Sequence, residues 1–454
     1  MTDRSSRRRA RSAVDRLHIA PHRKPGYSLH IDRLSGDRTV EQFGLAGVTN
    51  EEFVMATEHN PSAGAGRARR AVTAVAAAAA TLVLASSCSS SGSAGGSGDA
   101  TINLGISVPL SGPVGSSCGP MNKAMLAWFD HVNDSGGVGG HKIKVDTRDD
   151  AYDAARAVTN TRAFINDHVV AVTGQCGSVQ PPAQVPLLST AKIPFLFSFG
   201  ASTSLLNPLS PMYFNLMPTY GDQLVAEIPW VFEHQGVGSV VIMNTSTPDA
   251  PETTKAVEQA TKDAGGTFLA SYDAPPGTAD FAPYVLKMKQ KHPDYVVLDQ
   301  TPQDAARLTE AMTANGFAPN KFLIGSSAVS QQTFLDGVSK ALQPKLLVSS
   351  DVLAPGDAGS TQCATVLKAA GINVESVTLR GCGTAQVVVK ALQEAKQPIT
   401  SESIVDALQS WKNVTASEVY PPVTFSTSDH VGVENLYVFA VKDGAFYKTG
   451  EIGG

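Results

Sequence analysis

Two short loops carry the side chains with the clearest potential for binding chemistry. One is GQCGS at residues 174–178, and the other is SFGAST at residues 198–203. Each follows an apolar run typical of a buried strand, so we expect both at the carboxyl edge of a sheet, where open α/β sheets bind ligands. Small hydroxyl side chains and backbone N–H groups at a helix start suit a carboxylate or another oxygen-rich group. Plain turns and helix caps explain the same residues, and both interpretations stay open here.

The sequence contains none of the common short motifs for metal binding or nucleophilic catalysis. It has no CxxC, no HExxH and no GxSxG, and its ten histidines are scattered. The GGVGGHK segment at 136–142 lacks the spacing and the final Ser or Thr of a phosphate-binding loop, which indicates a turn. We therefore expect a protein that is not an enzyme and that uses no metal or cofactor.

Apolar strand patterns alternate with amphipathic helix patterns from Thr101 onward. Strands are predicted over 101–110 and 193–200, a helix over 121–133, and a closing hairpin that turns at Asp443-Gly444. This alternation predicts an α/β fold with parallel strands and crossover helices. The number of strands is too large for one small sheet, so two lobes are expected.

The charge of the chain is uneven along its length. Residues 1–70 hold 13 Lys and Arg against 8 Asp and Glu, whereas the remainder holds 23 against 33. An acidic body argues against a nucleic-acid partner, because phosphate contacts need clustered Lys and Arg.

Cys88 lies between an apolar run and a Ser/Gly-rich stretch. The basic cluster RARR at 67–70 precedes the uncharged run AVTAVAAAAATLVLASS at 71–87. A positive cluster, a short apolar run and small residues before a cleavage point are typical of a secretory signal. A buried alanine-rich helix is the alternative. We expect residues 55–87 to be a signal peptide and residues 88–100 to be a flexible tether.

The residues before Cys88 also resemble a bacterial lipobox. The sequence LASSC at 84–88 has its leucine one place further from the cysteine than the commonest form. The resemblance implies that Cys88 carries a lipid and that two or more acyl chains hold the protein on the outer face of the cell membrane. Residues 1–54 are interpreted as an upstream segment that precedes a true start at Met55, or as a disordered extension.

Residues 101–454 resemble the solute-binding proteins of branched-chain amino-acid ABC transporters, which have the type I periplasmic-binding-protein fold. The stretches that carry the resemblance are SVPLSGPVG, NDSGGVGGHKIKVDTRDDAYDAARAV, VVAVTGQCGS, IPFLFSFGAST and KFLIGSS. The resemblance implies two Rossmann-like lobes joined by three hinge crossings. Lobe 1 would contain 101–219 and 350–425, and lobe 2 would contain 220–349 and 426–454.

The resemblance also implies a function. A lipid-anchored monomer would capture a small amino-acid-like, carboxylate or amide solute between its lobes and deliver it to the permease of an ABC transporter. A ligand sensor of the same fold and a two-lobed hydrolase are the alternatives.

Ligand contacts carry over from the family to individual positions. Ser178 stands where the family has a serine that holds the ligand carboxylate, and Gly200 and Ser202 match the contacts of the second loop. Ser117 stands where the family has an aromatic residue over the ligand. Tyr220 lies at the first hinge and is expected to contact the ligand.

The second lobe departs from the family pattern. Ser327 occupies the place of the acid that pairs with the ligand ammonium, and Gln300 stands near an expected aromatic residue. Asp249 is acidic and follows Pro248, which replaces another aromatic. We therefore expect weak binding of leucine, isoleucine and valine compared with a carboxylate or amide that has no free amine.

Four cysteines remain after Cys88, and they allow three pairings. Cys118 and Cys176 are predicted in loops at the same edge of lobe 1, and Cys363 and Cys382 flank one short segment. We expect these two pairs to form disulfides in an exported protein, with free buried thiols as the alternative.

Overall fold

Short apolar runs form the strands of two sheets in the computed structural model, which describes residues 101–200 and 203–453. The strands are β1 (Thr101–Val108), β2 (Lys142–Asp149), β3 (Ala171–Thr173), β4 (Phe195–Leu196), β5 (Tyr213–Phe214), β6 (Ser239–Thr245), β7 (Thr267–Ala274), β8 (Tyr295–Asp299), β9 (Phe322–Gly325), β10 (Leu346–Ser350), β11 (Leu436–Lys442) and β12 (Ala445–Ile452). The predictions for the signal peptide, the tether, Cys88 and Ser202 concern positions outside the described residues.

Helices follow most strands and cover the sheets. They are α1 (Gly115–Asp134), α2 (Ala154–Asn166), α3 (Pro181–Ala191), α4 (Thr203–Leu206), α5 (Tyr220–Gln235), α6 (Ala250–Asp263), α7 (Ala282–Lys291), α8 (Pro302–Ala314), α9 (Gln332–Gly337), α10 (Thr361–Ala369), α11 (Ser376–Glu394) and α12 (Ser401–Gln409). Among the described residues, no helix combines the length and the apolar character needed to cross a membrane.

The first sheet has the order β2-β1-β3-β4-β5, with parallel pairing throughout. Its core forms because β1 is buried on both faces, as expected for a parallel strand between helices. Leu104 and Ile106 of β1 pack in one apolar cluster with Met125 and Phe129 of α1. Helix α11 joins the same cluster through residues such as Leu379, so a late segment of the chain completes the first lobe.

The second sheet has the order β12-β11-β10-β9-β8-β6-β7. Strands β6 to β10 are parallel, and the β11–β12 hairpin adds antiparallel strands at one edge. Helix α5 lies against this sheet, because Leu224, Ile228 and Val231 share a cluster with Val240 and Val297. Together the sheets form the two-lobed α/β architecture with mostly parallel strands that the sequence predicts.

Three connections pass between the two lobes. The first runs from β5 to α5, the second from β10 to α10, and the third precedes β11. The segment before β11 still contacts the first lobe, since Asn215 forms a β-bridge with Val431 and Val433 belongs to the first lobe's core.

Two local predictions in the first lobe are wrong. The run 193–200 was expected to be a full strand, but β4 contains only Phe195 and Leu196, because Phe197 takes a positive φ of 59° that ends the extended backbone. Cys118 was expected in a loop, yet it lies in the first turn of α1, which begins at Gly115. The apolar periodicity that predicts this helix begins only at residue 121, so the sequence pattern does not include the first turn of α1.

Candidate functional site

A cavity lies between the two lobes, and its wall is formed by side chains of both. Its first-lobe wall includes Ser117, Met121, Tyr152, Ser178, Phe199 and Thr203. Its second-lobe wall includes Thr245, Thr247, Asp249, Asp299, Gln300 and Gln331.

The loop that carries Ser178 is held by the buried carboxylate of Asp150. Gln180 Nε2 donates to Asp150 Oδ1 at 3.1 Å, and Gln175 Nε2 donates to Asp150 Oδ2 at 3.3 Å. The backbone N–H of Tyr152 also donates to Asp150 Oδ1, at 3.0 Å. Burial raises the pKa of Asp150, and the hydrogen bonds it accepts oppose that rise. Asp150 therefore fixes Ser178 and the Tyr152 backbone from behind the cavity.

Two glycines allow the ligand loops to lie against each other. Gly177 has a φ of 118°, and a Cβ atom there would lie 2.5 Å from the Tyr152 ring. Gly200 has a φ of 92°, and its Cβ would lie 3.0 Å from the backbone of Gly177 and Ser178. Gly200 packs against the Ser178 loop and does not line the cavity, so its ligand contact stays a prediction.

Tyr220 reaches the cavity from the first residue of α5. Thr219 caps this helix, since its side-chain oxygen accepts a hydrogen bond from the N–H of Asp222 at 3.0 Å. Burial raises the pKa of Tyr220, so its hydroxyl stays protonated and can donate to a ligand.

Ser327 does not line the cavity either, and its ligand contact also stays a prediction. Ser327 is buried, and its backbone N–H donates to Gln223 Oε1 at 2.9 Å. This bond fixes the short 3₁₀ turn after β9, and the neighbouring Ala328 lines the cavity in place of Ser327. Ser327 therefore lies outside the cavity wall. The absence of an acid at this position does not decide whether the ligand has an amine.

The acidic side chains of the cavity come from the ends of neighbouring parallel strands. Asp249 lies at the start of α6 after β6, and Asp299 is the last residue of β8, which pairs directly with β6. Burial raises the pKa of Asp299 to about 7, and the charges of Asp249 and Asp273 add to this effect. Asp249 was anticipated from the sequence, but Asp299 was missed.

The lobes are bridged at the edge of the cavity by Gln303 of α8. Its Nε2 donates to Ser116 Oγ at 2.7 Å and lies 3.3 Å from Ser117 Oγ, both on α1. Because α1 belongs to the first lobe and α8 to the second, these bonds form only when the cleft is closed. The first-lobe residue Ser117 therefore lines the cavity and also takes part in this bridge.

A buried ion pair lies at the second connection between the lobes. Arg380 of α11 donates through Nε to Asp351 Oδ1 at 2.9 Å, and the two side chains are 2% and 0% exposed. Arg380 also donates to Ser330 Oγ at 3.3 Å and lies over the ring of Phe199. Arg380 is thus surrounded by groups from both lobes immediately behind the cavity wall.

Sequence reasoning identified part of this site. The structure brings Ser117, Ser178, Tyr220, Asp249 and Gln300 together around the cavity. It adds Tyr152, Asp299 and Gln331, which the sequence analysis did not select. Among the described residues, no group of His, Cys, Asp and Glu side chains is arranged to hold a metal ion.

Both expected cysteine pairs are bonded in the structure. Cys118 is joined to Cys176, and Cys363 is joined to Cys382. The first bond ties the start of α1 to the Ser178 loop and lines the cavity. The second ties α10 to α11 and lies in the core of the first lobe.

Peptide mapping of the exported protein is expected to find these two disulfides. Each closes a chain segment, of 58 and 19 residues in sequence separation, and each should stabilise the fold by roughly 2–4 kcal/mol through restriction of the unfolded chain. The measurement is mass spectrometry of non-reduced peptides. Another pairing, or four thiols that alkylate in the native protein, would show that the expectation is wrong.

Comparisons with known proteins confirm the type I periplasmic-binding-protein fold predicted from the sequence. A family model described as periplasmic binding protein matches residues 101–445. A Leu/Ile/Val-binding protein from Rhizobium johnstonii is 24% identical over 329 residues, which cover 69% of this chain and 85% of that protein.

Solved structures resemble the chain in fold. A branched chain amino acid ABC transporter protein from Thermus thermophilus, with bound valine, has a TM-score of 0.72 at 17% identity and covers 79% of this chain and 97% of its own. A solute binding protein of an ABC transporter from Rhodopseudomonas palustris, in complex with 3,4-dihydroxy benzoic acid, has a TM-score of 0.68 at 19% identity and covers 78% and 97%. The two bind chemically different ligands, so the shared fold does not identify the ligand of this chain. That ligand depends on the side chains of its own cavity.

Proposed function

The chain belongs to the periplasmic binding protein family, and we propose that it captures a small solute between its lobes and delivers it to an ABC transporter. The observation that carries this proposal is the cavity, whose polar side chains come from both lobes. A ligand that contacts both walls favours the closed arrangement, because only that arrangement offers all contacts at once. One chain forms the whole cavity, which supports action as a monomer.

The proposed role is binding without chemistry. The relatives compared are solute-binding proteins, and this supports a chain that is not an enzyme. The cavity wall offers hydroxyl, amide and carboxylate groups that can orient a solute. Ser178 and Tyr220 are placed to donate to an oxygen-rich group at the first-lobe side.

Delivery to a permease is supported by similarity, since two structural neighbours are named as parts of ABC transporters. An exported location is supported by two disulfides, which persist in oxidising compartments. The lipid anchor rests on Cys88 and the apolar run before it. A tether of about a dozen Ser- and Gly-rich residues would then connect the anchor to β1.

Replacement of Cys88 by alanine is expected to release the protein from the membrane or to leave the precursor uncut. The reason is that the thiol is the proposed point of acylation. Without acyl chains, the exported protein has no hydrocarbon group that inserts into the membrane. The measurement is membrane fractionation with immunoblotting, and Ser89→Ala is the matched control. Normal processing and unchanged membrane association of Cys88→Ala would refute the anchor.

The proposed function is tested by a thermal-shift screen of the exported protein against amino acids, amines, amides and small carboxylates. A true ligand at 100 times its dissociation constant adds about 2.7 kcal/mol to the free energy of unfolding. We expect at least one class to raise the melting temperature in a saturable manner. A complete screen without any stabilising solute would count against the proposal.

A further inference from the structure

The two disulfides of the first lobe differ in their surroundings. Cys118 and Cys176 line the cavity between the lobes, and Cys176 is partly exposed there. Cys363 and Cys382 are each 0% exposed and lie in the apolar core of the first lobe. Thiol–disulfide exchange requires that a thiolate reach one of the two sulfur atoms. A reductant that enters the open cleft therefore reaches the cavity disulfide more easily than the core disulfide.

The cavity disulfide holds a helix start that is weak by itself. Helix α1 begins with GSSCGP at 115–120, in which the glycines and serines favour a helix less than alanine does, and Pro120 has no N–H for the helical hydrogen bonds. The N-cap residue is Val114, whose side chain accepts no hydrogen bond, and the first turn contains no acidic residue. Capping and acidic side chains stabilise this end of many helices. The bond from Cys118 to the loop at 174–178 supplies stabilisation that α1 lacks in its own sequence.

The same helix start carries the groups that bridge the lobes. Gln303 Nε2, on the second lobe, donates to Ser116 Oγ at 2.7 Å and lies 3.3 Å from Ser117 Oγ. At the other end of the disulfide, Ser178 follows Cys176 by two residues and lines the cavity. One covalent bond thus joins the segment that bridges the lobes to the segment proposed to bind the solute.

The two segments differ in the hydrogen bonds that would remain without the disulfide. Two glutamines of the loop at 174–180 donate to the buried carboxylate of Asp150, at 3.1 and 3.3 Å. In the first turn of α1, the N–H groups of Ser117 and Cys118 share one acceptor, the carbonyl of Val114. We therefore expect loss of the disulfide to loosen the start of α1 more than the loop.

We propose that the Cys118–Cys176 disulfide is a redox control of solute binding, an inference that rests on the proposed function. In the oxidised form, the start of α1 and the Ser178 loop are fixed in the positions that the closed cleft requires. In the reduced form, the start of α1 frays, so Ser116 and Ser117 leave Gln303 and the closed cleft is weakened. Because disulfides persist in oxidising compartments, the chain has its full affinity only there.

The reductive step is thiol–disulfide exchange with a dithiol. One thiolate of the dithiol attacks Cys176 Sγ, the S–S bond breaks, and Cys118 leaves as a thiolate that takes up a proton. The second thiol of the reductant, as its thiolate, then attacks its own sulfur in the mixed disulfide and releases Cys176 in the same way. The reductant loses two electrons and two protons to become an internal disulfide, and the two cysteines gain them. A closed cleft covers Cys176, so a bound solute should slow the reaction.

Graded reduction with dithiothreitol tests the order in which the disulfides open. The native exported protein is treated with increasing reductant, alkylated with iodoacetamide and mapped by mass spectrometry. Cys118 and Cys176 should become alkylated at dithiothreitol concentrations about ten-fold or more below those that expose Cys363 and Cys382. Equal sensitivity of the two disulfides, or earlier opening of the core disulfide, would overturn the proposal.

Hydrogen exchange of the ligand-free protein tests the fraying of α1. In the double variant Cys118→Ser with Cys176→Ser, amides at 115–121 should exchange about ten-fold or more faster than in the wild type, whereas those of α7 in the second lobe should be unchanged. Gly119→Ala added to this variant should slow the exchange at 115–121 roughly five-fold, because alanine favours a helix and open space surrounds a Cβ atom there. Exchange at 115–121 that is the same with and without the disulfide would overturn the proposal.

Solute binding is compared in three forms: the oxidised wild type, the wild type reduced only at the cavity disulfide, and the double variant. The probes are the amino acids, amines, amides and small carboxylates of the thermal-shift screen, starting with leucine, isoamylamine, 4-methylpentanamide and 4-methylpentanoate. Each solute that stabilises the oxidised wild type should bind the other two forms about ten-fold or more weakly. Dithiothreitol should have no further effect on the double variant, and the reduced wild type serves alone if that variant does not melt cooperatively.

The outcomes separate this inference from the proposed function. A solute that binds the oxidised and the reduced wild type with equal affinity would overturn the redox control and leave a solute-binding protein. A screen in which no solute stabilises the oxidised protein would count against the proposed function, and the control of binding would fail with it.

Discussion

Replacement of Arg380 by methionine is expected to lower the free energy of unfolding by about 3–5 kcal/mol. The change removes the cationic partner of Asp351 and leaves its carboxylate buried, with 0% of the side chain exposed. Burial disfavours the charge of Arg380, but Asp351 outweighs this effect, so the pKa of Arg380 is raised and its guanidinium keeps its charge. The substitution thus leaves the carboxylate of Asp351 without a cation in a site that water does not reach.

A control on the same helix separates burial from charge. Lys390 of α11 forms an ion pair with Glu394 in which the side chains are 37% and 36% exposed. Lys390→Met should lower stability by less than about 1 kcal/mol, since exposed pairs contribute little. Chemical denaturation measures both variants.

A double variant tests the cause of the loss. Replacement of Arg380 by methionine together with Asp351 by leucine should recover most of the stability, because it removes the stranded charge as well. A single Arg380 variant as mild as Lys390→Met would contradict this account. So would a double variant that is no more stable than the single one.

Ser178→Ala is expected to weaken binding of a carboxylate-bearing ligand about ten- to a hundred-fold. Ser178 lies on the loop that Asp150 fixes, and it lines the first-lobe wall opposite Asp249 and Asp299. A ligand oxygen that loses its donor in a closed cavity loses the corresponding hydrogen bond without gaining one to water. Calorimetric titration with leucine, or with the carboxylate-bearing ligand found in the screen, measures the effect.

Ser189→Ala provides the matched control for Ser178→Ala. Ser189 lies on α3 outside the cavity wall, so the loss of its hydroxyl should leave ligand affinity unchanged. The melting temperature of the ligand-free variant should also stay close to that of the wild type, since Ser178 is only partly buried. Unaltered affinity for the carboxylate-bearing ligand would show that Ser178 is not a ligand contact.

The sequence predicted the fold well where apolar periodicity was strong. The pattern at 101–110 corresponds to β1, and the turn at Asp443-Gly444 joins β11 to β12. The prediction of a full strand over 193–200 was wrong at Phe197. Its backbone is left-handed, and the apolar pattern of a sequence does not reveal such a conformation. The prediction of a loop was also wrong at Cys118, because the first turn of α1 carries small polar residues and no capping side chain.

The candidate site was predicted less completely than the fold. Residues placed by family resemblance, such as Ser178 and Tyr220, do line the cavity. Ser327 does not, because its N–H donates a hydrogen bond to Gln223 Oε1, which fixes the turn and leaves Ala328 at the surface of the cavity. Asp299 was missed although the signal was present. An acid at the end of one predicted strand, beside Asp249 at the end of a neighbouring one, indicates a shared carboxyl edge.

The central claim is that a solute binds in the cavity between the lobes. Its most direct test is calorimetric titration of the exported protein with the best ligand of the screen, compared with the variant Ala328→Trp, whose indole would fill the cavity that Ala328 lines. We predict one ligand per wild-type chain and no measurable binding to an Ala328→Trp variant that still melts cooperatively. Equal affinity and stoichiometry in the two proteins would contradict the account.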